Sequence, residues 1–94
     1  MAFSYSDKNF TVIGNLCFVH IVLDGTKTSY DIPPAIADRM LVKNICCMYY
    51  SYGESFESGN FGLAIISNAK ISFKTIYDFN KGYVIFSFPI DSNK

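Results

Sequence analysis

Ile13-Gly14-Asn15-Leu16-Cys17-Phe18-Val19-His20-Ile21-Val22-Leu23 is the stretch whose reading decides the fold. Gly14-Asn15 supplies residue types that accept positive φ in a tight hairpin turn. The run behind it is β-branched and aromatic, without helical spacing, and reads as a strand. Its side chains alternate, so one face carries Leu16, Phe18, His20 and Val22 and the other Cys17, Val19, Ile21 and Leu23. Both faces are apolar, whereas a strand with one wet face alternates with polar residues. Gly82 to Ile90 behaves alike: Val84, Phe86, Phe88 and Ile90 face one way, Tyr83, Ile85 and Ser87 the other. A second cover is therefore expected over these strands, from loops of the same chain or from neighbouring subunits. A three-fold assembly would supply it.

Outward from this stretch the chain is a succession of short apolar runs punctuated by Gly, Asn, Asp and Ser. Strands are predicted near Phe3–Tyr5, Asn9–Ile13, Leu16–Leu23, Thr28–Asp31, Leu41–Tyr50, Phe61–Ile66, Lys70–Thr75 and Gly82–Pro89. Asp24-Gly25 is a strong turn dipeptide, and Asn68-Ala69 can close a hairpin because Asn tolerates the left-handed region. The best helical candidate, Pro34 to Leu41, begins at a proline and is read as a turn or a single 3₁₀ turn. The expected class is all-β: an antiparallel, jelly-roll-like β-sandwich of about 7–8 short strands, spanning residues 1–94 as one domain.

Composition narrows the function classes. Half of the 94 residues are hydrophobic, 17% are aromatic and only 17% are charged. That is apolar for a small domain with much surface to keep wet, and it favours an apolar face buried between identical subunits. Eight basic and eight acidic residues are scattered to a net charge of zero, so no cationic patch is available for nucleic acid. No apolar run reaches membrane-spanning length, and the N-terminus lacks a signal-peptide pattern, which points to synthesis in a cytoplasm without membrane insertion. The three cysteines form no framework or metal-binding spacing and are read as reduced thiols; no metal or cofactor is expected.

Three signals fall in an order that resembles the small β-structured head domains ending bacteriophage tail fibres and receptor-binding or baseplate proteins. Thr11-Val12-Ile13-Gly14-Asn15-Leu16-Cys17-Phe18-Val19 stands where such modules place a Val-Gly-Asn-like turn and a valine-rich strand. Ile32-Pro33-Pro34-Ala35-Ile36-Ala37-Asp38-Arg39 is similar to their proline elbow. Gly62 to Phe73 and Tyr83 to Pro89 resemble their closing strands, with Asn68-Ala69-Lys70 in place of a glycine turn. The resemblance runs from about Asn9 to Pro89. It implies a homotrimeric head behind a stalk on a virion tail tip, bound to other tail or baseplate proteins. It also implies a bacterial cell-surface polysaccharide or teichoic acid as ligand, and adhesion in place of catalysis.

The candidate ligand-binding residues come from two loops. Tyr50, Tyr52, Glu54 and Asn60 lie in Met48 to Asn60, where Tyr, Ser, Gly and Asn combine aromatic surface with adaptable hydrogen-bonding groups. Sugars suit that mixture, since their C–H faces stack on rings while their hydroxyls bond to carboxylates and amides. Tyr77, Asp78 and Asn80 form the second set. Against this stands a structural reading, in which Tyr50 and Tyr52 cap the domain and the module trimerises or docks a tail without binding sugar. An enzyme is not expected. Glu54 and Glu57 would need to sit about 5–10 Å apart across a cleft to hydrolyse a glycan, which a loop holds poorly. His20 and Cys17, three apart on one strand, face opposite sides and form no local dyad. Asp38 and Arg39 are read as forming a salt bridge, within the chain or between subunits, ahead of holding a charged ligand, and Asn9-Phe10-Thr11 as a chance glycosylation match.

Overall fold

The Gly14-Asn15 turn joins β1 (Phe10–Ile13) to β2 (Leu16–Val22), with φ of 61° at Gly14 alone, the pattern of a type II′ hairpin turn. In the computed structural model, which describes residues 3–24, 27, 29–74 and 82–94, the chain continues through β3 (Tyr30–Asp31), the short helix α1 (Pro34–Ala37) and β4 (Ile45–Tyr52). A 3₁₀ turn (Phe56–Ser58) and β5 (Asn60–Ser67), β6 (Lys70–Lys74) and β7 (Tyr83–Pro89) follow. All seven strands among the described residues belong to one antiparallel sheet in the order β1-β2-β7-β4-β5-β6-β3.

The all-β antiparallel class and the strand count match expectation, and the strands among the described residues form one sheet. One face of the single sheet holds the core. Cys17, Val19 and Ile21 of β2 meet Val84, Phe86 and Phe88 of β7, and Tyr49, Ala64, Ile66 and Ile71 extend that face across β4, β5 and β6. Ile32, Ile36, Met40 and Ile90 close over it, so the proline elbow acts as the lid of the core. Pro34 opens a true α-turn, since Ala37 and Asp38 donate to the carbonyls of Pro33 and Pro34 at 2.9 Å each. Proline fits there because a first-turn residue needs no N–H.

Other boundaries move for identifiable reasons. Phe3 to Tyr5 forms no strand; Phe3 lies 3.8 Å from the Arg39 guanidinium, and only Ser6 bridges to Thr11. The predicted Leu41–Tyr50 strand runs instead from Ile45 to Tyr52, because Leu41 and Val42 lie in an exposed connection outside the ladder. Asp7 organises the approach to β1. Its carboxylate accepts from the backbone N–H of Asn9 at 2.8 Å and of Phe10 at 2.7 Å.

The β5–β6 hairpin turns on Asn68 and Ala69, with φ of 54° and 59°. Two positive values define a type I′ turn, which asparagine accepts and alanine resists, because a Cβ crowds the carbonyl in the left-handed region. Ala69→Gly should therefore stabilise the domain by about 0.5–1 kcal/mol and raise its melting temperature by a few degrees. Thermal denaturation followed by circular dichroism checks this. No gain would mean that the packing of the Ala69 methyl against the core outweighs the strain.

The cysteines sort by environment. Cys17 is fully buried, and desolvation, with a smaller contribution from Asp7, pushes its thiol up to about 12. Cys47 is half-buried and also raised, first by burial and then by neighbouring Cys46, while Cys46 is exposed on the opposite face. The thiolate is the reacting species, so iodoacetamide at pH 8 should modify Cys46 first, Cys47 more slowly and Cys17 only on unfolding. Time-resolved mass spectrometry of tryptic peptides reads the order. Early loss of Cys17 would contradict its burial.

Candidate functional site

The face of the sheet away from the core is unusually apolar. Ile13, Val22, Met48 and Phe61 are each more than 60% exposed there, and Leu16, Phe18 and Leu63 more than 40%. Scattered exposed apolar residues are ordinary; a contiguous set across several strands marks a contact surface. The register makes it contiguous: Phe18 opposes Ser87, Val22 opposes Tyr83, Tyr52 opposes Tyr83, Tyr50 opposes Phe61 and Met48 opposes Leu63.

At its centre four strands bring aromatic rings into one row. Tyr50 lies 5.0 Å from Phe61 and 6.2 Å from Tyr52, measured between ring centroids. Tyr52 lies 5.1 Å from Tyr83 with planes 26° apart, and Tyr83 lies 5.4 Å from His20. Phe56, on the 3₁₀ turn, packs 4.4 Å from Tyr52. These separations are those of offset and tilted aromatic pairs, each worth about 0.5–1.5 kcal/mol beyond area burial. The rings thus hold one another in place, and a ligand meeting them has little side-chain freedom to remove.

The polar tips are arranged differently along the row. The Tyr50 hydroxyl donates to the Phe56 carbonyl and accepts from the Gly59 N–H at 3.1 Å, which ties the 53–59 connection to β4. Gly59 is needed there, since a Cβ would overlap the Ser51 carbonyl and the Tyr50 ring. The Tyr52 hydroxyl sits 3.2 Å from His20 Nε2, and the imidazole tautomer decides which donates. Beyond them Glu54 is exposed and, with Val22, Tyr52, Tyr83, His20 and Gly82, borders a shallow depression of about 680 Å³.

Of the residues singled out from sequence, Tyr50, Tyr52 and Glu54 come together here. Tyr50 serves the loop with its hydroxyl and presents only its ring. Asn60 does not join them. It neighbours Phe61 along β5, so its side chain projects from the other face, and its carbonyl accepts from Ser51 Oγ at 3.3 Å. Tyr77, Asp78 and Asn80 lie outside the described residues. Sequence reasoning passed over His20, Tyr83, Phe56 and Phe61 as site residues. The alternation of Tyr83 with buried Val84 placed Tyr83 on the outer face, but its meeting with Tyr52 depends on the β4–β7 register, to which short-range pattern is blind.

His20 and Cys17 lie on opposite faces of β2, as alternation requires. Asp38 and Arg39 form no ion pair with each other; the Arg39 guanidinium donates to the Ala35 carbonyl at 2.9 Å and faces Phe3. The salt bridge present among the described residues is instead Lys70 to Asp31 at 2.7 Å, exposed, across β6 and β3. No group of three or more His, Cys, Asp or Glu side chains converges on a possible metal position among the described residues. No helix among them is long and apolar enough to cross a membrane.

No protein-family model, curated protein or solved structure matches this chain.

Proposed function

We propose that this chain is a recognition module whose aromatic row binds a saccharide, serving as the adhesin head of a phage tail receptor-binding protein. The observation that carries the binding reading is the row Phe61–Tyr50–Tyr52–Tyr83–His20, with rings spaced 5.0–6.2 Å apart on an exposed sheet face. Exposed Met48, Leu63 and Val22 flank the row, which suits the C–H faces of pyranose rings, while Glu54, His20 and the Tyr52 hydroxyl offer hydrogen bonds at one end. The phage-tail assignment, and cell-wall polysaccharide or teichoic acid as the ligand, rest on the resemblance of the Gly14-Asn15, Pro33-Pro34 and Asn68-Ala69 regions to fibre-tip modules.

A homotrimer fits the same surface. Exposed Ile13, Leu16, Phe18 and Val22 extend well past the aromatic row, and packing this face against another protomer would make a sheet-on-sheet sandwich between chains. That breadth favours, as a second reading, a trimerisation or baseplate-docking module that binds no sugar. Co-sedimentation with purified Gram-positive cell walls, with light scattering in parallel, separates the two. Adhesion expects a trimer that sediments with walls and is released by the soluble polysaccharide, with micromolar to millimolar affinity per site. A trimer that never sediments with any wall preparation supports the assembly reading.

A further inference from the structure

The central pair of strands is incompletely zipped. Tyr50 opposes Ile85 and Met40 opposes Ile90, yet ten positions separate the first members of these pairs and five the second. The surplus lies in the connection that precedes β4, and the ladder between β4 and β7 ends at Tyr50–Ile85. Between the two contacts, Phe86 to Pro89 pairs with β2 on one side and with no strand on the other. Ile45 to Tyr49 likewise pairs only with β5.

Strand alternation identifies the backbone groups that this leaves. Leu23 N–H donates to Gly82 O and Ile90 N–H to Asn15 O, both at 2.9 Å, so the even-numbered residues of β7 face β2. Asp91 N–H donates to Arg39 O at 2.7 Å, so the odd-numbered residues face the other way. The opening is therefore lined by the N–H and C=O of Ser87 and by the C=O of Pro89. On the opposite bank, Tyr50 and Tyr52 bond to β7, and the same alternation turns the N–H and C=O of Met48 and Cys46 into the opening. The β4–β7 ladder stops at Tyr50–Ile85 and does not extend to these groups. The opening forms the floor of a cleft of about 780 Å³, walled by Phe18 on one side and Met48 and Phe61 on the other.

We propose that this opening is a strand-insertion site that takes an extended, uncharged peptide segment from a protein partner. Each strand edge presents the alternating N–H and C=O groups of an unpaired β-strand, which a peptide backbone complements. A saccharide or a lipid chain carries no such repeat. Because β4 and β7 are antiparallel, the inserted segment runs antiparallel to one bank and parallel to the other. Its side chains alternate between the core side, beside Tyr49 and Phe86, and the apolar outer face. Lys8 is the one formally charged side chain lining the cleft among the described residues, so a basic inserted side chain finds no acidic partner, and the otherwise uncharged lining suits apolar or hydroxylic side chains. The gap opposite Phe86–Pro89 sets the paired length at about four residues. The cleft shares His20, Tyr50 and Phe61 with the aromatic row, but the backbone pairing is read at Met48 and Ser87 and does not rest on the saccharide reading.

Amide hydrogen exchange by NMR on the intact chain tests it, using a blocked hexapeptide of alternating threonine and valine as the probe. In the free protein the Cys46, Met48 and Ser87 amides should exchange quickly, unlike those of Val84 and Phe86. Saturating peptide should slow exchange at Met48 and Ser87 by about tenfold or more, equivalent to about 1.4 kcal/mol. The same peptide N-methylated at alternate residues should give no protection. Equal protection by the N-methylated peptide would show an apolar pocket without ladder pairing and overturn the proposal. So would protection confined to β1 or β3, or none at Met48 and Ser87.

Discussion

Phe88→Ala is expected to lower the unfolding free energy by about 3–5 kcal/mol, much of the 5–15 kcal/mol that holds an ordinary domain together. Phe88 is 1% exposed on the core face of β7, opposite Cys17 and 6.5 Å from the Phe86 ring. Its removal leaves a cavity in a layer with few mobile side chains to refill it. The matched change on the other face is Phe18→Ala on neighbouring β2, where the ring is 43% exposed in the isolated chain. That should cost under about 1 kcal/mol, because little packing is lost. Urea denaturation of both variants makes the comparison. A loss below about 1 kcal/mol for Phe88→Ala would refute the assignment of the core face. A loss at Phe18→Ala as large as that at Phe88→Ala would mean the outer face is covered in solution. In that case the variant should also change the mass seen by light scattering, since the cover comes from another copy.

This pair of substitutions also marks what was legible in the sequence. Which side chains of β2 and β7 share a face follows from a period of two, and the buried set Cys17, Val19, Ile21, Val84, Phe86 and Phe88 agrees with that reading. Apolar residues on both faces pointed to a cover on both sides, but a pattern along one strand carries no information about which chain supplies it. Within the described residues the strands form one sheet whose outer apolar face is exposed. Leu41 and Val42 have strand-like composition and lie outside the ladder, because strand formation depends on a partner at the right height. Tyr50 and Tyr52 stood out through the composition of their own loop. His20 and Tyr83 reach them from strands separated widely in sequence, and the β2–β7–β4 order that unites them is a long-range property. The opening between β4 and β7 was equally hidden, since it arises from a mismatch between two contacts and from no motif.

Tyr52→Ala should have the largest effect on binding of any single change on the outer face. Tyr52 stands mid-row, with Tyr83 at 5.1 Å, Phe56 at 4.4 Å, Tyr50 at 6.2 Å and His20 at 6.4 Å. Deleting the ring removes a stacking surface and also frees its neighbours to rotate. Together these are worth on the order of 1.5–3 kcal/mol, or about 10–100-fold in saccharide affinity. Because Tyr52 is only half-buried, the domain should stay folded, which circular dichroism checks. Tyr52→Phe keeps the ring and loses the hydroxyl that meets His20 Nε2 at 3.2 Å. It should cost about tenfold or less, the scale of one hydrogen bond. The ratio between the two variants tells stacking from hydrogen bonding. If phenylalanine is as damaging as alanine, the hydroxyl–imidazole contact carries recognition and the row is a scaffold for it. If both variants bind cell walls normally while Tyr52→Ala separates the subunits, the rings belong to a protein interface, and the assembly reading replaces the adhesin.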